Sequence, residues 1–253
     1  MKDPVVRAFW TDEFANYDRR FLAEAIAPVQ NKVGQLLMPP LTRNVLGHVR
    51  NKVDFRFMMD NRRIFIANLS KGRLGEDKAN LLGALLVTTF QLAAMSRTGV
   101  SENERRDFYL YVDEFHNFST ESFATLLAEA RKYRLCLTLS HQYLNQLRED
   151  VRDAVFGNVG SMVAFRVGSH DAEILEQEFG KTYSSAQFTG LSNYEICAKL
   201  LVNGQHGEAF MGQTFAPQGK RYGRGKSIVR LSRAKYATKR DVVEGRISRW
   251  MRR

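Results

Sequence analysis

The run FYLYVDEFHNF (residues 108–118) is where residue types and spacing come closest to chemistry. Five β-forming apolar residues lead directly into two adjacent carboxylates, Asp113 and Glu114. At the carboxyl edge of a parallel strand, where open α/β proteins bind ligands, one acid can hold Mg²⁺ through water. The next can orient and polarise a water that attacks the γ-phosphate of ATP. This is the Walker B arrangement, although two acids closing a strand are also an ordinary surface feature. A second run, LCLTLS (135–140), leads into His141 and Gln142. A neutral hydrogen-bonding side chain just past the neighbouring strand suits the sensing of a γ-phosphate and the placing of water, which selects Gln142. His141 is equally an ordinary residue for a crowded strand end.

The elements that must position these residues alternate in hydrophobic period. IFIANL (64–69), FYLYV, LCLTLS and SMVAFRV (161–167) read as strands. The stretches EDKANLLGALLVTTFQLAAMSR, ESFATLLAEARKY, NQLREDVRDAVFG and DAEILEQEF read as the helices between them, with Ser119 or Thr120 as a cap for the second. Nearly unbroken apolar strands separated by helices predict a parallel sheet covered on both faces. EICAKLLV and GEAFMGQTF, flanking Asn203-Gly204-Gln205-His206, predict a hairpin at the sheet's edge. The first 60 residues read as helices, kinked or broken at Pro28 and stopped at Pro39-Pro40.

The chain has 253 residues, 44% of them hydrophobic, enough for a substantial core. No uninterrupted apolar run reaches the roughly 20 residues needed to cross a bilayer, so a chain without a transmembrane segment is expected. Cys136 and Cys197 lie inside apolar runs without metal-ligand spacing and read as buried free thiols. The net charge of +11 is concentrated at the end: residues 217–253 hold 13 of the 38 Lys and Arg but only 2 of the 27 Asp and Glu. Such a tail suits a polyanion, nucleic acid first and an anionic membrane surface second. In GKRYGRGK the DNA-contact candidates are Lys220, Arg221, Arg224 and Lys226, with Tyr222 available to stack on a base.

Taken together, NKVGQLL, LTRNVLG, IFIANLSKGRLGED, YLYVDEFHNF, EARKYRLCLTLSHQYLNQL and SRAKYATKRDVVEGRISRW make the chain resemble the HerA/FtsK-type motor ATPases. Within them it is most similar to the conjugative DNA-transfer coupling proteins of type IV secretion. The resemblance implies a RecA-like P-loop NTPase fold of the α/β class, with a helical insertion at residues 1–60, the ATPase core at 61–216 and a basic tail at 217–253. It also implies ATP and Mg²⁺ as cofactors, and a homo-hexamer with DNA in its channel. Relaxosome and secretion-channel proteins become partners, at the cytoplasmic face of the inner membrane. Asp113 would serve Mg²⁺, Glu114 the attacking water and Gln142 the γ-phosphate. Arg131 takes the place of the arginine that reaches into a neighbouring subunit's site, with Arg166 the second choice.

One departure is large. A phosphate loop needs Gly-x-x-x-x-Gly-Lys-Ser/Thr after a strand, because its backbone N–H groups wrap the β-phosphate. Gly180-Lys181-Thr182 fails because Leu175 stands where the first glycine belongs; Gly225-Lys226-Ser227 fails because Gly219 lies one residue too far back. The first strand and the loop are thus expected to be missing, which makes the chain look like a fragment inactive on its own. Two other readings compete: an interaction module that kept the fold without catalysis, and a helicase fragment suggested by the D-E-x-H string Asp113–His116.

Overall fold

The computed structural model describes residues 3–252 and divides the chain into two compact units, Met1–Lys52 with Gly225–Arg253, and Val53–Arg224. The first unit opens with α1 (Pro4–Ala8), capped by the Asp3 carboxylate, which accepts from the Val5 and Val6 amides. A π turn and a 3₁₀ turn carry the chain past a file of edge-packed rings, Phe9, Trp10, Phe14, Tyr17 and Phe21. Asp18 caps α2 (Arg19–Leu37) through the Arg20 and Phe21 amides at 2.8 and 2.9 Å. Of the kink or break expected at Pro28, the break is absent: Pro28 lies inside the continuous helix α2. α3 (Pro40–Leu46) follows the Pro39-Pro40 stop, and its buried Thr42 hydroxyl donates back to the Leu36 carbonyl.

The second unit begins with α4 (Phe55–Asp60), α5 (Lys71–Leu74) and α6 (Glu76–Met95). The run IFIANL between α4 and α5 is not a strand. Among the described residues it pairs with no neighbour, Ile64 and Ile66 are exposed, and Phe65 packs between Phe55 and Phe90. A strand persists only where a neighbour takes up its N–H and C=O groups, and here none does.

β1 (Phe108–Val112) then pairs in parallel with β2 (Leu135–Leu139) across α7 (Glu121–Glu129). α8 (Glu149–Asn158) leads to β3 (Met162–Ala164), α9 (Ser169–Glu178) and α10 (Ser185–Gly190). β4 (Glu195–Lys199) is joined by a small ladder, β5 (Leu201–Val202) and β6 (Gln205–His206), to β7 (Phe210–Gln213). The predicted hairpin is present: β4 pairs antiparallel with β7, and Asn203 and Gly204 both take positive φ at the tip. β3, expected in the parallel sheet, instead pairs antiparallel with β4.

Among the described residues the parallel sheet therefore has two strands, with one face covered. Phe90, Val112, Phe115, Phe123, Leu126, Leu135 and Val151 form the core against it, while Tyr109 and Tyr111 point to solvent. The expectation of two covered faces is corrected by this alternation, which belongs to a half-buried strand. A second cluster, centred on Phe179, Phe188 and Cys197, packs against β3 and β4. Helix Glu76–Gly99 is long and apolar enough, by length and composition, to cross a membrane. Ala79, Val87, Phe90 and Ala94 on one side of it are buried, while Leu85 and Leu92 are exposed. The basic segment ends in α11 (Gly225–Tyr236) and α12 (Arg240–Met251). α12 buries Val243, and its Glu244 accepts from Asn44 at 3.1 Å, tying it to α3 within the first unit.

Candidate functional site

The parallel register places Val112 opposite Leu139, so the next residues, Asp113 and Ser140, face each other past the strand ends. Ser140 continues the ladder: its amide donates to the Val112 carbonyl at 3.1 Å, and its carbonyl accepts from the Phe115 amide at 3.0 Å. Asp113 and Glu114 are thereby forced out as a turn between two anchored positions. Glu114 takes φ 50° and ψ 44°, a left-handed conformation that costs a non-glycine residue about 1–2 kcal/mol. Phe115, fully buried and stacked on Phe123 at 5.6 Å, holds the chain in place immediately afterwards.

Both carboxylates are tied to polar groups beyond β2. The Ser140 hydroxyl donates to Asp113 Oδ1 at 2.6 Å, and the Gln142 amide nitrogen donates to Glu114 Oε1 at 2.6 Å. The other Glu114 oxygen lies 3.6 Å from His116 Nδ1. The Glu114 carbonyl accepts from the Asn117 side chain at 3.0 Å. No hydrogen bond among the described residues falls on the Gln142 carbonyl oxygen. Among the described residues no hydrogen bond falls on Asp113 Oδ2, which fits outer-sphere attachment of a hard cation such as Mg²⁺. No group of three or more His, Cys, Asp or Glu among the described residues could hold a metal by itself.

His141, between the two tied positions, packs edge-on against Phe115 at 5.1 Å. Burial lowers its pKa below the ordinary value, against the pull of the Asp171 carboxylate, which favours the imidazolium. Asp171 is itself buried on α9 and accepts from the Leu144 amide at 3.0 Å, so it anchors the loop that carries Gln142. His170 and Asn145 make a second tie between the same segments at 3.0 Å.

The sequence-derived candidates thus divide. Asp113, Glu114 and Gln142 come together with Ser140. Arg131 is exposed on the turn before β2, at the opposite end of that strand, and Arg166 is exposed just after β3. Neither side chain makes a hydrogen bond or ion pair among the described residues, although the Arg131 carbonyl accepts from the Arg134 amide at 3.0 Å. Lys220 and Arg221 lie in coil, Arg224 lies in the turn before α11 with its guanidinium 5.0 Å from the Tyr222 ring centre, and Lys226 lies on α11. Two contributors escaped the sequence reading. Ser140 could have been found by aligning the ends of FYLYVD and LCLTLS in parallel register. Asp171 carries no local signal, because its role depends on how α9 docks.

Residues 107–193, about a third of the chain, match the family model described as the TraM recognition site of TraD and TraG. The resemblance to conjugative coupling proteins holds over that segment, which contains β1, β2 and the site between them. Among solved structures, the chain is similar to the genome packaging NTPase B204 from Sulfolobus turreted icosahedral virus 2, solved in complex with AMPPCP. The identity is 11%, the match covers 66% of this chain and 74% of that one, and the TM-score is 0.41. No curated protein matches.

Proposed function

We propose that this chain supplies the Walker B half of the nucleotide site of a RecA-like conjugative coupling ATPase, whose phosphate-binding loop is not among these 253 residues. The observation that carries the reading is the cross-strand pairing of Asp113 with Ser140 and of Glu114 with Gln142 at the carboxyl ends of two parallel strands. Asp113 would hold Mg²⁺ through water, and the cation would neutralise phosphate charge. Glu114 accepts hydrogen bonds from the attacking water once Gln142 releases it. Gln142 then turns toward the γ-phosphate, so that phosphate occupancy and carboxylate freedom become linked. The bound Mg²⁺·ATP supplies the reactive phosphoryl group and the charge that neutralises it.

In this reading the motor is a hexamer moving DNA, or a DNA–protein complex, at the cytoplasmic face of the inner membrane. Arg131, unpaired at the far end of β2, is the residue that reaches a neighbouring subunit's site, with Arg166 as the alternative. The test is ATP hydrolysis by the intact motor that contains these residues. Glu114→Gln should keep nucleotide affinity and lose turnover by about 100-fold or more. Undiminished turnover removes Glu114 from the role. The chain alone should show neither micromolar ATP affinity by calorimetry nor hydrolysis.

A second reading is favoured by the description of the matched segment itself, that residues 107–193 form a recognition surface for a TraM-type relaxosome partner. Binding of such a partner by the isolated chain, unaffected by Glu114→Gln, would support this role independently of catalysis.

A further inference from the structure

Helix α11 (Gly225–Tyr236) lies almost wholly in solvent, although its sequence has two distinct faces. Lys226, Arg230 and Arg233 repeat at i, i+4 and i+7 and line one shallow groove together with Val229. The opposite side carries Ile228 and Leu231, which are 58% and 67% exposed. Lys235 lies between them, its ammonium 5.3 Å from the Tyr236 ring centre, and Ser227 and Ser232 flank that side. The helix contains no acidic residue. An isolated 12-residue helix is marginal in water, and apolar side chains held exposed on it lose the burial that normally stabilises such elements.

We infer that α11 is a membrane-surface helix that lies on an anionic lipid bilayer. Its aliphatic side would sit in the headgroup–acyl boundary and its basic stripe against lipid phosphates. Charge complementarity decides among the possible occupants. A second copy of the helix would bring Lys226, Arg230 and Arg233 against their own counterparts. Duplex DNA would satisfy the basic stripe and leave Ile228 and Leu231 in water. An anionic bilayer satisfies both sides, with Lys235 able to extend its ammonium toward the headgroups from the apolar side. Arg249, Trp250, Met251 and Arg252 repeat the combination of cations with exposed apolar side chains at the end of α12. The inference does not depend on the motor reading.

The test uses the whole chain in flotation assays with vesicles of phosphatidylcholine alone or with about one-third phosphatidylglycerol. The chain should float with the anionic vesicles and not with the neutral ones. I228S/L231S should lower its partitioning by about tenfold or more, and K226Q/R230Q/R233Q should also lower it. The substituted side chains are exposed, so circular dichroism should be unchanged. Ile228→Trp should increase partitioning, a gain that misfolding cannot mimic. Failure to float with anionic vesicles, equal flotation with neutral ones, or an I228S/L231S variant that floats like the parent would overturn the inference. Duplex binding lost in K226Q/R230Q/R233Q, together with no vesicle binding, would overturn it in favour of nucleic acid.

Discussion

His141 shows how burial and charge compete at one residue. Its imidazole is held below its ordinary value of 6.5 chiefly by desolvation, with His116 adding to the shift and Asp171 and Glu114 opposing it. The unfolded chain therefore takes up a proton near pH 6.5 that the folded chain takes up only at lower pH. The stability contribution is present above that window and falls as pH drops through it toward the folded pKa. His141→Gln should flatten the decline of the urea midpoint below about pH 6.5 relative to the parent. Arg97 is a second residue whose surroundings dictate its work. Fully buried, it lies 2.9 Å from Asp60 and donates to the Arg106 and Tyr133 carbonyls at 2.9 and 2.8 Å. It thus ties together the segments entering β1 and β2. Arg97→Met would leave two carbonyls without donors and should cost about 3 kcal/mol in chemical denaturation.

At the scale of elements, the site depends on α6 lying close against the turn after β1. A Cβ placed on Gly83 would come within 2.2 Å of the Phe118 ring, and Phe118 closes the 3₁₀ turn Phe115–Asn117 that follows Glu114. Gly83→Ala should therefore force the ring and the turn apart. The expected loss is about 1–3 kcal/mol, despite alanine's better helix propensity, read from the shift in denaturation midpoint. Gln142→Ala removes a contact made to the same turn from beyond β2 and should change stability far less, because its bond to Glu114 is solvent-exposed. Comparing the two variants separates the packing that positions the turn from the polar contact that equips it.

For the whole molecule, charge distribution is the property that reaches furthest. If the basic residues of 217–253 neutralise about five phosphates of duplex DNA, the logarithm of the binding constant should fall with a slope near −4.5 against the logarithm of salt concentration. Replacing Lys220, Arg221, Arg224 and Lys226 by glutamine should flatten that slope in anisotropy titrations. Substitution is the cleaner experiment than deletion, since α12 buries Val243 and bonds to Asn44. Equal slopes would show those four residues to be solvated without contacting phosphate. The sequence determined, by local pattern alone, that FYLYV and LCLTLS are strands, that Asp113, Glu114 and Gln142 follow their ends, and that Asn203-Gly204 turns a hairpin. Each of these follows from hydrophobic period and turn chemistry within a few residues. Tertiary structure decided the rest. IFIANL has the composition of a strand but no neighbour to pair with. SMVAFRV joins β4 in an antiparallel sheet because pairing partners are chosen in space. Glu114 meets Gln142, and Asp171 meets the Leu144 amide, because parallel register and helix docking bring together residues 28 and 27 positions apart. Sequence spacing carries no record of that approach.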